Sequence, residues 1–119
     1  MRILVVDDEP VVAEVLADAI RAAGDEALVA LDGAEALGVL SATPVDAVFM
    51  DLVMPGLSGL AVLAQIRKRH PLLPVVIISG HGIDETSAKA KELGAVAVLE
   101  KPTTLAHLTE TLSRLRSAG

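Results

Sequence analysis

The opening stretch Arg2-Ile3-Leu4-Val5-Val6-Asp7-Asp8-Glu9-Pro10 sets an apolar run directly against two acids and a helix start. A continuous apolar run of this length is the pattern of a strand covered on both faces, and Pro10 suits the first turn of a helix. From Pro10 to Ala23, Val12, Leu16 and Ile20 recur at helical spacing with Val11, Val15 and Ala19 beside them, while Glu14, Asp18 and Arg21 lie elsewhere on the wheel. The reading is an amphipathic helix capped by Asp8 and stopped near Gly24.

The same strand-to-helix unit repeats downstream. Ala27 to Leu31 leads through Asp32-Gly33 into a short helix, Ala34 to Leu40. Val45 to Met50 is an unbroken apolar run ending in Asp51, and after Met54-Pro55-Gly56 a helix begins near Ser58 and reaches about Arg69. Pro74 to Ile78 ends in Ser79, and Ala95 to Leu99 ends in Glu100-Lys101-Pro102. The last helix carries Leu105, Leu108, Leu112 and Leu115 along one stripe. Five strands alternating with five helices describe a doubly wound α/β domain over residues 1–119, a parallel sheet with helices on both faces. The helical segment 83–93 has mostly small or charged residues, so it buries little area and is expected to be loosely held.

Composition narrows the function classes. The chain has 119 residues, enough for one core, and 52% hydrophobic residues against 22% charged exclude a disordered polypeptide. No apolar run approaches the ~20 residues of a membrane span, and the amino terminus lacks the pattern of a secretion signal. A cytoplasmic protein is expected. No cysteine is present, which excludes disulfides and thiolate chemistry, and a net charge of -6 without a basic tract opposes direct nucleic-acid binding.

The chemistry lies at the ends of the runs. In a parallel sheet the carboxyl ends share one edge, so Asp7, Asp8, Asp51, Ser79 and Lys101 converge there. Each has an ordinary explanation alone: a helix start, a turn acid, a Ser-Gly turn, a solvated amine. Their common place does not. Three packed carboxylates repel unless a cation or Lys101 neutralises them, and magnesium suits such an oxygen site, with the Val53 carbonyl as a further ligand. One carboxylate is then left as a nucleophile toward a phosphoryl group. His70 and His107 have no partners at ligand spacing and read as surface residues.

Asp7-Asp8, the run Asp51-Leu52-Val53-Met54-Pro55-Gly56-Leu57-Ser58-Gly59, Ser79-Gly80, and Gly94-Ala95 leading to Lys101-Pro102 together resemble the receiver domain of bacterial two-component response regulators, over essentially the whole chain. The resemblance implies a CheY-like, flavodoxin-like sheet of order 2-1-3-4-5. It implies Asp51 as phosphoacceptor, Asp7, Asp8, Asp51 and the Val53 carbonyl as ligands of Mg2+ or Mn2+, Lys101 as the phosphoryl partner, and Ser79 as its reporter. A cis Lys101-Pro102 bond follows too. The implied activity is self-phosphorylation and self-dephosphorylation, not turnover of a separate substrate. The donor would be a sensor histidine kinase or histidine phosphotransfer protein. The recipient would be a downstream protein or linked output domain reading the surface around residues 84–115, and the family also allows a transient homodimer.

Two positions depart from the family pattern. Val98 stands where receivers usually carry the Tyr or Phe that swings with the phosphate state, and Thr103 stands where Phe is common; Phe49, the one aromatic residue, reads as core. A pseudo-receiver, a phosphate-independent interaction module, is therefore the main alternative. A flavodoxin-like nucleotide binder would need a phosphate loop where Asp7-Asp8-Glu9 stands, and a haloacid dehalogenase-type phosphatase would need Asp-x-Asp after a strand. His81 and Val53, each two residues past a site residue, flank the path the family implies for the hydrolytic water.

Overall fold

The computed structural model describes residues 1–54, 56, 58–79, 85–100 and 105–118, with backbone alone at 79, 85–87, 105 and 118. Strands β1 (Arg2–Val6), β2 (Glu26–Ala30), β3 (Ala47–Asp51), β4 (Val75–Ser79) and β5 (Ala97–Glu100) alternate with helices α1 (Pro10–Ala22), α2 (Gly33–Ala42), α3 (Gly59–Arg69), α4 (Glu85–Glu92) and α5 (Leu105–Ala118). All strand pairs are parallel and the order is β2-β1-β3-β4-β5, as the resemblance implied.

The apolar runs are continuous because the sheet is buried on both sides. Side chains alternate between faces with period two. Leu4, Val6, Val48, Met50 and Ile77 pack toward α2, α3 and Ala90 of α4, whereas Ile3, Val5, Phe49, Val76 and Ile78 pack toward α1 and α5. Phe49 is fully buried, as its position in the run suggested. Leu108 and Leu112 hold α5 to the sheet with Leu115 partly buried beside them.

Three expectations need correction. Asp8 does not cap α1: the N-cap is Glu9, with no side-chain hydrogen bond, because Asp8 turns toward the acid cluster described below. The face of α1 fully buried on the sheet is Ala13, Ala17 and Ile20, small residues that let the helix sit close, with Leu16 half-buried; Val11 and Val15 face solvent. Strand β2 stops at Ala30 because α2 takes Leu31 for its cap. The Leu31 N–H donates to Glu35 Oε2 at 3.2 Å while Asp32 Oδ1 accepts from the Glu35 N–H at 2.7 Å.

Two helices end on the same device. Gly24 (φ 98°) and Gly94 (φ 94°) adopt the left-handed conformation that favours glycine. Their N–H groups donate to Arg21 and Lys91 carbonyls, and the following N–H groups of Asp25 and Ala95 reach back to Ile20 and Ala90. These are Schellman turns. In the part of α4 whose side chains are described, 88–92, only Ala90 is buried, in line with the small and charged composition there. Its end, however, is fixed. The Arg67 guanidinium donates to Leu93 and Gly94 carbonyls at 3.2 and 3.3 Å and to Pro71 and Leu73 carbonyls at 2.9 and 2.8 Å, joining the α4–β5 and α3–β4 turns.

Asp25, 8% exposed, ties the far end of the molecule together. Its carboxylate accepts from the Met1 ammonium at 2.9 Å and from the Arg116 guanidinium of α5. Burial alone would push this carboxyl up, but the two cations hold it below its ordinary 3.8. The stabilisation is therefore present above about pH 4 and is lost as pH falls through the lowered folded value. Asp25→Asn should cost about 2 kcal/mol at pH 7. In urea titrations its deficit against wild type should shrink progressively as pH falls below about 4. Among the described residues, no helix is long and apolar enough to cross a membrane.

Candidate phosphoryl and divalent-metal site

The register of the central strands builds the site. Strands β1 and β3 pair with Val6 opposite Met50, which sets the next residues, Asp7 and Asp51, side by side at the carboxyl edge. The Asp7 N–H donates to the Ala30 carbonyl at 3.2 Å, extending the pairing with β2 one residue past the strand. The chain then bends at Asp8. Adjacent acids on a regular strand would face opposite sides of the sheet, and this bend lets both reach one point.

Carboxylate oxygens of Asp7, Asp8 and Asp51 lie within 4.8 Å of one another. Asp7 and Asp51 are 4% and 7% exposed, so water does little to screen their repulsion. Both are oriented by the same local turn: Asp7 Oδ1 accepts from the Glu9 N–H at 3.0 Å, and Asp51 Oδ1 accepts from the Val53 N–H at 3.1 Å. One oxygen of each is thereby engaged and the carboxylate plane fixed. Three hard oxygen donors, without sulfur or imidazole in the group, form a set suited to Mg2+ or Mn2+.

Ser79 ends β4, in register with Glu100 of β5, so its backbone stands on the same edge. Its side chain, and Gly80, His81 and Lys101-Pro102 entirely, lie outside the described residues. The Val53 side chain is 70% exposed beside Asp51. Val98 is half-buried and packs against the cluster that includes Ala90 of α4. His70 is partly exposed and His107 is exposed.

A residue whose role the sequence reading did not assign also shapes the site. Gly59, the first residue of α3, donates its N–H to the Leu52 carbonyl at 2.9 Å. A Cβ there would stand 2.5 Å from Leu52 Cα and 2.8 Å from the Asp51 carbonyl oxygen. The helix therefore touches the backbone that carries Asp51. Ser58 caps it, its hydroxyl accepting from the Ala61 N–H at 3.2 Å. Glycine spacing after the Met-Pro turn was visible in the sequence; the contact it serves was not.

A doubly wound sheet with clustered acids on its central carboxyl edge defines a receiver-like class of protein. The match is specific: residues 3–113 fit the response regulator receiver domain, and the chain belongs to that family. It is 42% identical over 102 residues to a putative NtrX-like response regulator of Rickettsia felis, covering 84% of this chain and 22% of that protein. It is 38% identical over 113 residues to the sensor histidine kinase RcsC of Salmonella typhi, covering 95% of this chain and 12% of that protein. The chain thus spans about a fifth or less of these relatives. The crystal structure of the receiver domain of NtrX from Brucella abortus superposes with a TM-score of 0.89 at 39% identity, covering 98% of this chain and 99% of that one. A receiver domain protein from Clostridium thermocellum gives 0.92 at 31%, covering 98% and 94%.

Proposed function

We propose that this domain is a phosphorylation-dependent switch that accepts a phosphoryl group on Asp51 from the phosphohistidine of a sensor kinase or phosphotransfer protein. The observation that carries the reading is the acid trio at the β1–β3 edge, with Asp51 held by the Val53 N–H and both central acids shielded from water. An Asp51 carboxylate oxygen forms the new P–O bond as the donor's P–N bond breaks, and that electron pair returns to the donor imidazole. An acyl phosphate results. Asp7, Asp8 and Asp51, with the Val53 carbonyl, would hold Mg2+, which supplies charge neutralisation for the phosphoryl oxygens. Lys101 pairs with the same oxygens and Ser79 donates to one of them. Self-phosphorylation and self-dephosphorylation are the whole of the chemistry in this reading.

With a valine, Val98, half-buried against the cluster that holds Ala90 of α4, the output does not depend on an aromatic swing; it runs from Ser79 into α4 and the surface of residues 84–115. The reader of that surface is a downstream protein or a linked output domain. Incubation with acetyl phosphate and Mg2+ followed by intact mass tests the proposal. One labile phosphoryl group is expected, and none when the metal is chelated before acetyl phosphate is added; no gain under any condition supports the phosphate-independent pseudo-receiver instead.

Two further outcomes follow. If like charge crowds this edge, Asp8→Asn should stabilise the metal-free protein by about 1 kcal/mol at low ionic strength. Mg2+ should then raise the wild-type melting temperature more than that of Asp8→Asn. The exposed, apolar Val53 offers water no hydrogen bond beside Asp51. Val53→Asn should change the decay rate of the phosphorylated form several-fold, about 1 kcal/mol in barrier, while leaving phosphorylation by acetyl phosphate intact. A decay series by intact mass checks both rates.

A further inference from the structure

Exposed apolar side chains and unpaired cations coincide at the edge opposite the acids. Four of the six large hydrophobics most exposed among the described residues, Val11, Val15, Leu31 and Val53, belong to the acid-bearing edge or to α1 leading from it. The other two, Leu72 at 92% and Val96 at 57%, sit just before β4 and β5, where the strands begin. They are neighbours through the backbone: the Val96 N–H donates to the Val75 carbonyl, and Arg67 joins the turn of Leu73 to that of Gly94.

The charges around them are sorted as well. Among the described residues, Arg2, Arg21, Arg114 and Arg116 are each ion-paired to an acid, and Arg67 is saturated by carbonyls. Lys68 and Arg69 at the end of α3, and Lys89 and Lys91 in the last turn of α4, are exposed and form no side-chain hydrogen bond or ion pair. Both helices run back from the acid edge, so their ends lie together at this rim, against the single carboxylate of Glu92 in those two final turns. Attraction of cations to helix carboxyl ends accounts for the charge. It does not account for a leucine left almost wholly in water in the turn that follows α3.

We propose that this rim is a docking surface for an acidic, apolar-bearing segment of a partner protein, with Leu72 and Val96 taking its hydrophobic side chains and Lys68, Arg69, Lys89 and Lys91 its carboxylates. Four unpaired cations on a chain of net charge -6 give the rim a sign opposite to the rest of the molecule, and this complementarity selects an acidic occupant. The Arg67 bonds hold both turns in place beforehand, so little ordering is lost on binding.

The test uses the isotope-labelled 119-residue chain and two designed helical peptides that share a leucine stripe, one flanked by glutamates and one by lysines. The glutamate peptide should shift amides of residues 67–73 and 88–96, more weakly as salt is raised. Leu72→Ser, or Val96→Ser as a second exposed site, should weaken it about tenfold, and Lys68→Glu with Lys89→Glu should reverse the preference between peptides. Equal binding of both peptides, or shifts centred on the acid edge, would overturn the proposal. So would concentration-dependent shifts at the rim without peptide, which would make a second copy of this chain the occupant.

Discussion

Asp51→Asn is expected to remove phosphoryl capture altogether, by on the order of a thousandfold or more, while the domain keeps its fold. The amide retains an oxygen able to accept the Val53 N–H, so the turn after β3 survives, and the side chain fills the same volume. What is lost is the anionic oxygen that attacks phosphorus. Neither Asp7 nor Asp8 should substitute for it, since Asp7 is held by the Glu9 N–H and Asp8 belongs to the bend that starts the next helix. Intact mass after acetyl phosphate and Mg2+ reads the loss, and an unchanged far-ultraviolet spectrum with a melting temperature no lower than that of wild type shows that the fold is not its cause.

Gly59→Ala should produce the largest loss of stability among single-methyl changes, about 3 kcal/mol. The added carbon would meet backbone atoms of Asp51 and Leu52 at 2.5–2.8 Å, and backbone cannot rotate away as a side chain can. Either α3 retreats or the loop carrying Asp51 moves, so the rate of phosphorylation should fall together with the melting temperature. Gly38→Ala is the control. It lies inside α2, where an added Cβ meets nothing within 4 Å, and there the same substitution should stabilise by about 0.5–1 kcal/mol through helix propensity and a less flexible unfolded chain. Opposite signs from one chemical change would show that proximity at Gly59, and not loss of a glycine as such, governs the response.

How far the sequence could be read follows from where the information resides. Continuous apolar runs are forced by burial on both faces, so β1, β3 and β4 were legible to within two residues at each end. The convergence of Asp7, Asp8 and Asp51 was legible as well, because parallel strands ending in acids can only present them on one edge. The assignment of Asp8 as a cap failed because one residue type serves both a helix start and an acid cluster, and local spacing does not separate the two. The apolar wheel of α1 misled for a related reason: Ala13 and Ala17 bury completely while the larger Val11 and Val15 stay outside, a choice made by how closely the helix approaches the sheet. Contacts across long separations left no local trace at all. Arg116 with Asp25, and Arg67 with the turn at Gly94, join segments whose side chains look like ordinary surface charge in the sequence.

The most direct test of the central claim is chemical location of the phosphoryl group. After treatment with acetyl phosphate and Mg2+, borohydride reduces an aspartyl phosphate to homoserine, and peptide mass mapping identifies the residue. Conversion confined to Asp51 is the expected result. Conversion at Asp7 or Asp8, or a metal-supported phosphoryl gain that leaves Asp51 unreduced, would contradict the account.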